Sequence, residues 1–249
     1  MKYICIIRKN KVNIDNIDVL FFGAHPDDVE LNCGGTVLSL VHSGKSAGIV
    51  DLTRGELSSR GNPVSRKKET DAASALMRLS FRENLGIDDA NIEINIINRN
   101  KIITVLRQMK PEIIFAPYPH DRHPDHINAG NLIRESFFYS GLEKIKTGSL
   151  KGYRPAKIYY YRNAYDIPVS FIYDISSEFK NKLEVLKCYG SQFYKPGSEG
   201  PETFISTKLF DREIEARARH FGFKIGVEFG EPYFSNENIK INDNTLFQI

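Results

Sequence analysis

The sequence IDVLFFGAHPDD at residues 17–28 combines the pattern of a buried strand with a cluster of polar residues directly after it. An apolar run ends at Gly23, which is typical of a strand buried on both faces of a parallel sheet. His25, Asp27 and Asp28 follow within five residues of that glycine. Because ligands of open α/β sheets bind outside the carboxyl ends of the strands, we predict that this turn forms half of a metal site.

A second polar cluster occupies the equivalent position after another predicted strand. Residues 112–116 read as a buried strand, and residues 127–139 continue as a helix. Between them lie His120, His123 and His126, which are half of the six histidines of the chain, together with Asp125. Turns at the carboxyl ends of strands can meet in a right-handed doubly wound sheet, so we predict that this segment supplies the other half of the site.

The remaining patterns predict an α/β fold, a Rossmann-like three-layer sandwich with a mostly parallel central sheet. Gly34 and Gly35 are expected to open the helix after the first turn, and residues from 228 onward are expected to be irregular and to border the sheet. Residues 1–249 are interpreted as a single domain, with residues 1–15 as a peripheral arm or edge strand. Further strands are predicted at residues 47–52, 157–161 and 170–174, and further helices at residues 63–79, 100–109, 177–189 and 211–221.

The composition excludes several classes of function. The net charge of +3 is too small to indicate binding of nucleic acid or of a membrane surface. No apolar stretch approaches the roughly 20 residues of a membrane span. Three irregularly spaced cysteines make a poor disulfide framework and suit a reducing cytoplasm, where we expect the protein to reside. Cys33 is either a thiol ligand or, more simply, a packing residue.

Imidazole and carboxylate ligands favour Zn²⁺, with iron, cobalt or manganese as alternative divalent metals. A catalytic zinc site has three protein ligands and an open position, and two histidines and one aspartate from the two turns satisfy that count. A single His-Pro-Asp-Asp turn would be explained better by helix capping than by a metal site. The second histidine-rich cluster at an equivalent turn favours the metal.

Residues 24–28, AHPDD, and residues 123–126, HPDH, resemble the two signature motifs of the PIG-L/LmbE-like zinc deacetylases. The resemblance extends over about residues 17–234. Within this family, four segments of the chain look like the bacillithiol-biosynthesis branch, which removes the acetyl group from N-acetylglucosaminyl malate. The segments that carry this finer resemblance are residues 33–36, 51–57, 82–86 and 191–193.

The resemblance implies a division of roles among the polar residues of the two turns. His25, Asp28 and His126 would bind zinc, and Asp27 would be the general base. His123, oriented by Asp125, would stabilise or protonate the tetrahedral intermediate, and a carboxylate neighbour would suit His123 as an imidazolium. The proton of the departing amine would come from Asp27 or His123, and the sequence does not choose between them.

Three arginines are candidates for substrate binding. Arg66 matches a family arginine near the substrate, although its neighbours Lys67 and Lys68 also fit a solvated helix face. Arg54 and Arg60 lie in a polar loop after the second strand and either bind a substrate carboxylate, which would suit malate, or are exposed loop charges. His120 is expected to lie behind the ligands.

These expectations define a zinc-dependent N-deacetylase acting on a small acetylated sugar conjugate, first of all N-acetylglucosaminyl malate. The alternative within enzymes is another N-acetylated sugar or a sugar–thiol conjugate. A non-catalytic nucleotide- or sugar-binding module is the alternative of another class, but no G-x-G-x-x-G pattern follows the first strand. Family relatives are often homo-oligomers, and the aromatic loop at residues 191–206 offers an interface by analogy.

Overall fold

The computed structural model describes residues 16–197 and 200–242, so the arm expected at residues 1–15 lies outside the described residues. The strands within these ranges are β1 (Val19–Gly23), β2 (Ala47–Asp51), β3 (Phe81–Asn84), β4 (Ile113–Pro117), β5 (Lys157–Tyr161), β6 (Phe171–Asp174) and β7 (Gly230–Phe234). The α-helices are α1 (Asp28–His42), α2 (Pro63–Leu76), α3 (Ile96–Met109), α4 (Pro124–Ser140), α5 (Phe179–Lys187) and α6 (Lys208–Phe223).

The strands form one sheet in the order β3-β2-β1-β4-β5-β7-β6. The first five strands of that order are parallel, whereas β7 runs antiparallel to both β5 and β6. Phe21 and Phe22 of β1 point to opposite faces, as the two-residue period of a strand requires. Helices α1, α2, α5 and α6 cover the face of Phe21, and α3 and α4 cover the face of Phe22. The predicted three-layer α/β fold is confirmed.

A crevice opens where β1 and β4 part. Pairing between these strands ends at Phe21 and Phe115, although β1 continues to pair with β2 as far as Gly23 and Asp51. The chain proceeds from β1 to β2 and β3 on one side of the sheet, and then to β4 and β5 on the other. Such a switch point at the carboxyl ends of parallel strands is where ligands of these folds bind.

Two local expectations are wrong. Helix α1 already begins at Asp28, so Gly34 and Gly35 lie in its interior. There they allow close packing, since a Cβ added to Gly35 would lie 2.7 Å from the side chain of Ile175. The segment from residue 228 onward is not irregular throughout, because residues 230–234 form β7, which pairs with β5 on one side and with β6 on the other. Its sequence, GEPYF, contains a proline and a glutamate, which are weak strand signals.

None of the helices within the described ranges combines the length and the apolar character that crossing a membrane requires.

Candidate active site

The turn after β1 places the first half of the site. Asp27 adopts a φ of 119°, a left-handed backbone conformation that costs a non-glycine residue about 1–3 kcal/mol. Asp28 then opens α1, where the positive end of the helix dipole favours a carboxylate. The backbone N–H of His25 donates to Asp28 Oδ2 at 2.8 Å, which fixes this carboxylate relative to the turn.

The turn after β4 places the second half. His123 caps α4, since its Nδ1 accepts from the backbone N–H of Asp125 at 3.2 Å. The buried carboxylate of Asp121 accepts from the backbone N–H of His123 at 2.9 Å, and the same oxygen lies 2.9 Å from His126 Nδ1. This contact fixes the orientation of the His126 ring and leaves Nε2 to face the crevice.

The two halves meet across the crevice between β1 and β4. His126 Nε2 lies 3.3 Å from Asp28 Oδ1, and His25 Nδ1 lies 3.6 Å from Asp28 Oδ2. The ligand atoms of His25, Asp28 and His126 all lie within 4.8 Å of one another. Two imidazoles and a carboxylate are a donor set suited to zinc, and the contact of His126 Nδ1 with Asp121 is the support that a metal-binding histidine usually has. These residues therefore fit a divalent metal.

The other nitrogen of His25 faces two further carboxylates. Nε2 lies 3.0 Å from Asp89 Oδ1 and 3.2 Å from Asp125 Oδ2. His25, His123 and Asp125 form a second group whose ligand atoms lie within 4.8 Å of one another. Asp89 also accepts the backbone N–H of Leu57 at 2.8 Å, and so connects His25 to the loop after β2.

Sequence reasoning missed Asp89 and Asp121. Asp89 lies shortly after the carboxyl end of β3, and Asp121 lies inside the second polar cluster. The rule that pointed to the other residues, polar side chains at strand ends, was therefore a usable signal for Asp121, whereas β3, with the sequence FREN, was not predicted as a strand and gave no such signal for Asp89.

The geometry favours a neutral His123 over the expected imidazolium. Asp125 contacts His123 through its backbone N–H, and its carboxylate lies instead against His25 Nε2 and the backbone N–H of Ala90. A ring nitrogen that accepts a hydrogen bond carries no proton. Burial and the nearby rings of His126 and His25 also lower the pKa of His123 below its ordinary value.

Arg66 contacts the protein's own carboxylate, Asp27. The residue is 5% exposed, and its guanidinium donates to the carbonyl of Pro26, to Asp27 Oδ2 at 3.2 Å and to Ser58 Oγ at 3.2 Å. Burial raises the pKa of Asp27 to about 7, against the opposing effect of Arg66. Burial would also raise the pKa of Asp28, but His126 and His25 hold it well below its usual range. The adjacent carboxylates therefore differ in their affinity for a proton.

The other candidates from the sequence lie in different settings. Arg54 is exposed, as one of its two interpretations expected. Arg60 is buried and donates to the backbone carbonyls of Ser191 at 2.8 Å and Pro201 at 2.9 Å, so it anchors the loop that contains these two residues. Cys33 packs in the core between α1 and the sheet, and burial raises its thiol pKa well above the usual value, which favours the packing interpretation. The exposed ring of His120 lies 5.5 Å from that of Tyr165.

Residues 20–137, which include both clusters, match the family model PIG-L, described as GlcNAc-PI de-N-acetylase. The diacetylchitobiose deacetylase of Thermococcus kodakarensis is 28% identical over 200 residues, or 76% of this chain and 75% of that protein. The probable N-acetyl-alpha-D-glucosaminyl L-malate deacetylase 2 of Bacillus anthracis is 24% identical over 188 residues, or 70% of this chain and 81% of that protein. The crystal structure of the conserved protein TT1542 from Thermus thermophilus matches with a TM-score of 0.82 and 33% identity, over 91% of this chain and 97% of that one. With both clusters inside the matched region and the same fold, the chain belongs to the PIG-L family of deacetylases.

Proposed function

We propose that this protein is a zinc-dependent hydrolase that removes the N-acetyl group from an N-acetylglucosaminyl conjugate, with N-acetylglucosaminyl malate as the first substrate to test. The observation that carries the proposal is the convergence of His25, Asp28 and His126 within 4.8 Å, beside the buried carboxylate of Asp27. The names of the relatives from T. kodakarensis and B. anthracis both describe removal of acetyl groups from N-acetylated sugars.

The metal would be held by His25 through Nδ1, by Asp28 and by His126 through Nε2. When bound, it would polarise the amide carbonyl and lower the pKa of a coordinated water to about 7. Asp27 is adjacent to this group in sequence, and Arg66 holds its carboxylate outside the proposed ligand set. It is therefore the base that would accept a proton as water attacks the carbonyl.

His123 would act as a neutral hydrogen-bond donor. Because Nδ1 is occupied as an acceptor, the ring proton of neutral His123 resides on Nε2. A donor at this exposed edge of the site can stabilise the carbonyl oxygen as it gains negative charge. The proton that Asp27 has accepted would then pass to the departing amine, so Asp27 performs both proton transfers.

Measurement of amine release tests the proposal. Purified protein is offered N-acetylglucosaminyl malate, N,N′-diacetylchitobiose and free N-acetylglucosamine, each with and without a chelator. We expect hydrolysis of the malate conjugate to be fastest, to stop with chelator and to return when zinc is added. Faster hydrolysis of diacetylchitobiose would replace malate as the substrate. A protein that takes up no metal and releases no amine would support a non-catalytic sugar-binding module instead.

Two substitutions separate the proposed roles. Asp27→Asn should retain zinc and lose about 10²- to 10⁴-fold in kcat, the usual contribution of a general base. His126→Ala should lose zinc itself. His220→Ala is the matched control, because His220 is exposed on α6, and it should change neither quantity. Near-full activity and equal metal content in Asp27→Asn and His126→Ala would refute the assignment.

A further inference from the structure

The end of β5 reaches across β4 to the half-site built on β1. Neighbouring strands lie about 4.8 Å apart, so β5 and β1 are separated by about 10 Å. Two side-chain contacts span this distance. The hydroxyl of Tyr161 donates to the carbonyl of Phe22 at 2.8 Å, and Asn163 Oδ1 accepts from Asn32 Nδ2 at 2.8 Å.

Both contacts act on the part of the chain that carries Asp28. Asn32 Nδ2 also donates to the backbone carbonyl of Asp28 at 2.9 Å, one turn earlier in α1. Phe22 lies one residue beyond the last pair between β1 and β4. The end of β5 therefore holds β1 and the first turn of α1 at the point where β4 no longer does.

The same segment also holds the second half of the site. The backbone N–H of Ala164 donates to Asp121 Oδ2 at 2.7 Å, and the other oxygen of Asp121 lies 2.9 Å from His126 Nδ1. Residues 161–164 are thus bonded on one side to the helix of Asp28 and on the other to the support of His126. These four residues are called the β5 clasp below.

We propose that the β5 clasp sets the separation between Asp28 and His126, and that Asn163 is a positioning residue for the metal group. This proposal rests on the proposed function, because it takes Asp28 and His126 as metal ligands. Asn32 and Asn163 are 6% and 9% exposed. Burying an amide costs about 1–3 kcal/mol unless it is hydrogen-bonded, and apolar side chains could join α1 to β5 without that cost. A hydrogen bond instead fixes a distance and a direction, which a metal group requires.

The test measures zinc affinity of the metal-free full chain by competition with a chromophoric chelator, without substrate. Asn32→Ala and Asn163→Leu should each weaken zinc binding about tenfold, the lower end of the range for residues that support a metal ligand. Asn163→Asp retains the acceptor oxygen and should restore most of the affinity. The matched control is Asn131→Ala, because Asn131 donates to Ile127 O at 3.1 Å within α4 and should leave zinc affinity unchanged.

A merely structural role gives a different pattern. Lower melting temperatures with unchanged zinc affinity in both Asn32→Ala and Asn163→Leu would overturn the proposal. The double variant, Asn32→Ala with Asn163→Leu, should bind zinc no more weakly than the single variant with the lower affinity, because each single change already removes the hydrogen bond between Asn32 and Asn163. If Asn163→Leu does not fold, Tyr161→Phe takes its place in the test, because it deletes only the hydroxyl that donates to Phe22. Unchanged zinc affinity in both Tyr161→Phe and Asn32→Ala would then overturn the proposal. A wild-type chain that binds zinc but releases no amine refutes the deacetylase alone, and one that binds no zinc refutes both.

Discussion

Replacing Arg66 with methionine distinguishes a residue that binds substrate from one that holds the carboxylate of Asp27, the proposed general base. The guanidinium donates to Pro26 O, Asp27 Oδ2 and Ser58 Oγ, and Arg66 is a buried residue. Methionine keeps an unbranched apolar stem and removes the charge and the donors. We expect Arg66→Met to lower both the stability of the fold and kcat, with a smaller effect on KM.

The expected loss of stability in Arg66→Met depends on Asp27, the partner that remains in the buried ion pair. Removing one member of a buried ion pair costs about 3–5 kcal/mol, because the other charge stays buried without compensation. Asp27 is 7% exposed, so this cost applies to it above its pKa of about 7, whereas at lower pH the carboxyl takes up a proton and the cost falls. Burying methionine in place of a guanidinium recovers part of the loss, which favours the lower end, about 3 kcal/mol. For a chain of about 250 residues, each kcal/mol corresponds to about 2–4 °C, so the melting temperature should fall by about 6–12 °C.

Thermal unfolding of the metal-free proteins and steady-state kinetics provide the readout. Lys67→Met is the control, since Lys67 is an exposed neighbour in an i,i+4 pair with Asp71, a pair worth about 0.3–0.5 kcal/mol. Asp27→Asn combined with Arg66→Met should be more stable than Arg66→Met alone, because no carboxylate is left unpaired. A melting temperature equal to that of wild type, together with a raised KM and an unchanged kcat, would show that Arg66 serves the substrate.

Three further substitutions test other contacts of the site and of the core. Asp121→Asn should weaken zinc binding about 10- to 100-fold in chelator competition, and an unchanged affinity would contradict its support of His126. Arg60→Ala should speed proteolytic cleavage within residues 191–197, whereas Arg54→Ala, at an exposed position, should be cleaved at the wild-type rate; equal rates for both would contradict the anchoring role. Glu231→Gln leaves the ammonium of Lys182, 2.7 Å away, buried without a counter-charge and should cost about 3 kcal/mol in urea unfolding, with no effect on zinc affinity.

The sequence was sufficient to predict which turns carry the site. The polar residues follow apolar runs directly, so their place at the carboxyl ends of strands depends only on local chain direction. Once β1 and β4 are neighbours, His25, Asp28 and His126 must approach one another. The three-layer α/β fold followed from the same alternation of strand and helix patterns.

The partners of these residues could not be predicted from the sequence because they depend on how loops pack. Arg60 and Arg54 occupy the same loop, yet the positions of Ser191 and Pro201 make Arg60 a buried anchor. The carboxylate of Asp125 contacts His25 Nε2, whereas His123 Nδ1 accepts from the backbone N–H of Asp125 in capping α4. Strand β7 was missed for a similar reason: the carboxylate of Glu231 is satisfied by groups on α1 and α5, which a strand propensity does not register.

Backbone conformation explains why the carboxylates of the adjacent residues Asp27 and Asp28 make different contacts. Asp28 has helical geometry at the start of α1, which directs its carboxylate to both His25 and His126. Asp27 precedes the helix with a φ of 119°, and its carboxylate meets Arg66. Since two neighbouring carboxylates in one orientation would repel each other and compete for the same cation, the cost of the left-handed residue is offset by the separation it achieves. Under the proposed function, the strained residue and its arginine are thus a condition for Asp28 to bind the metal while Asp27 transfers protons.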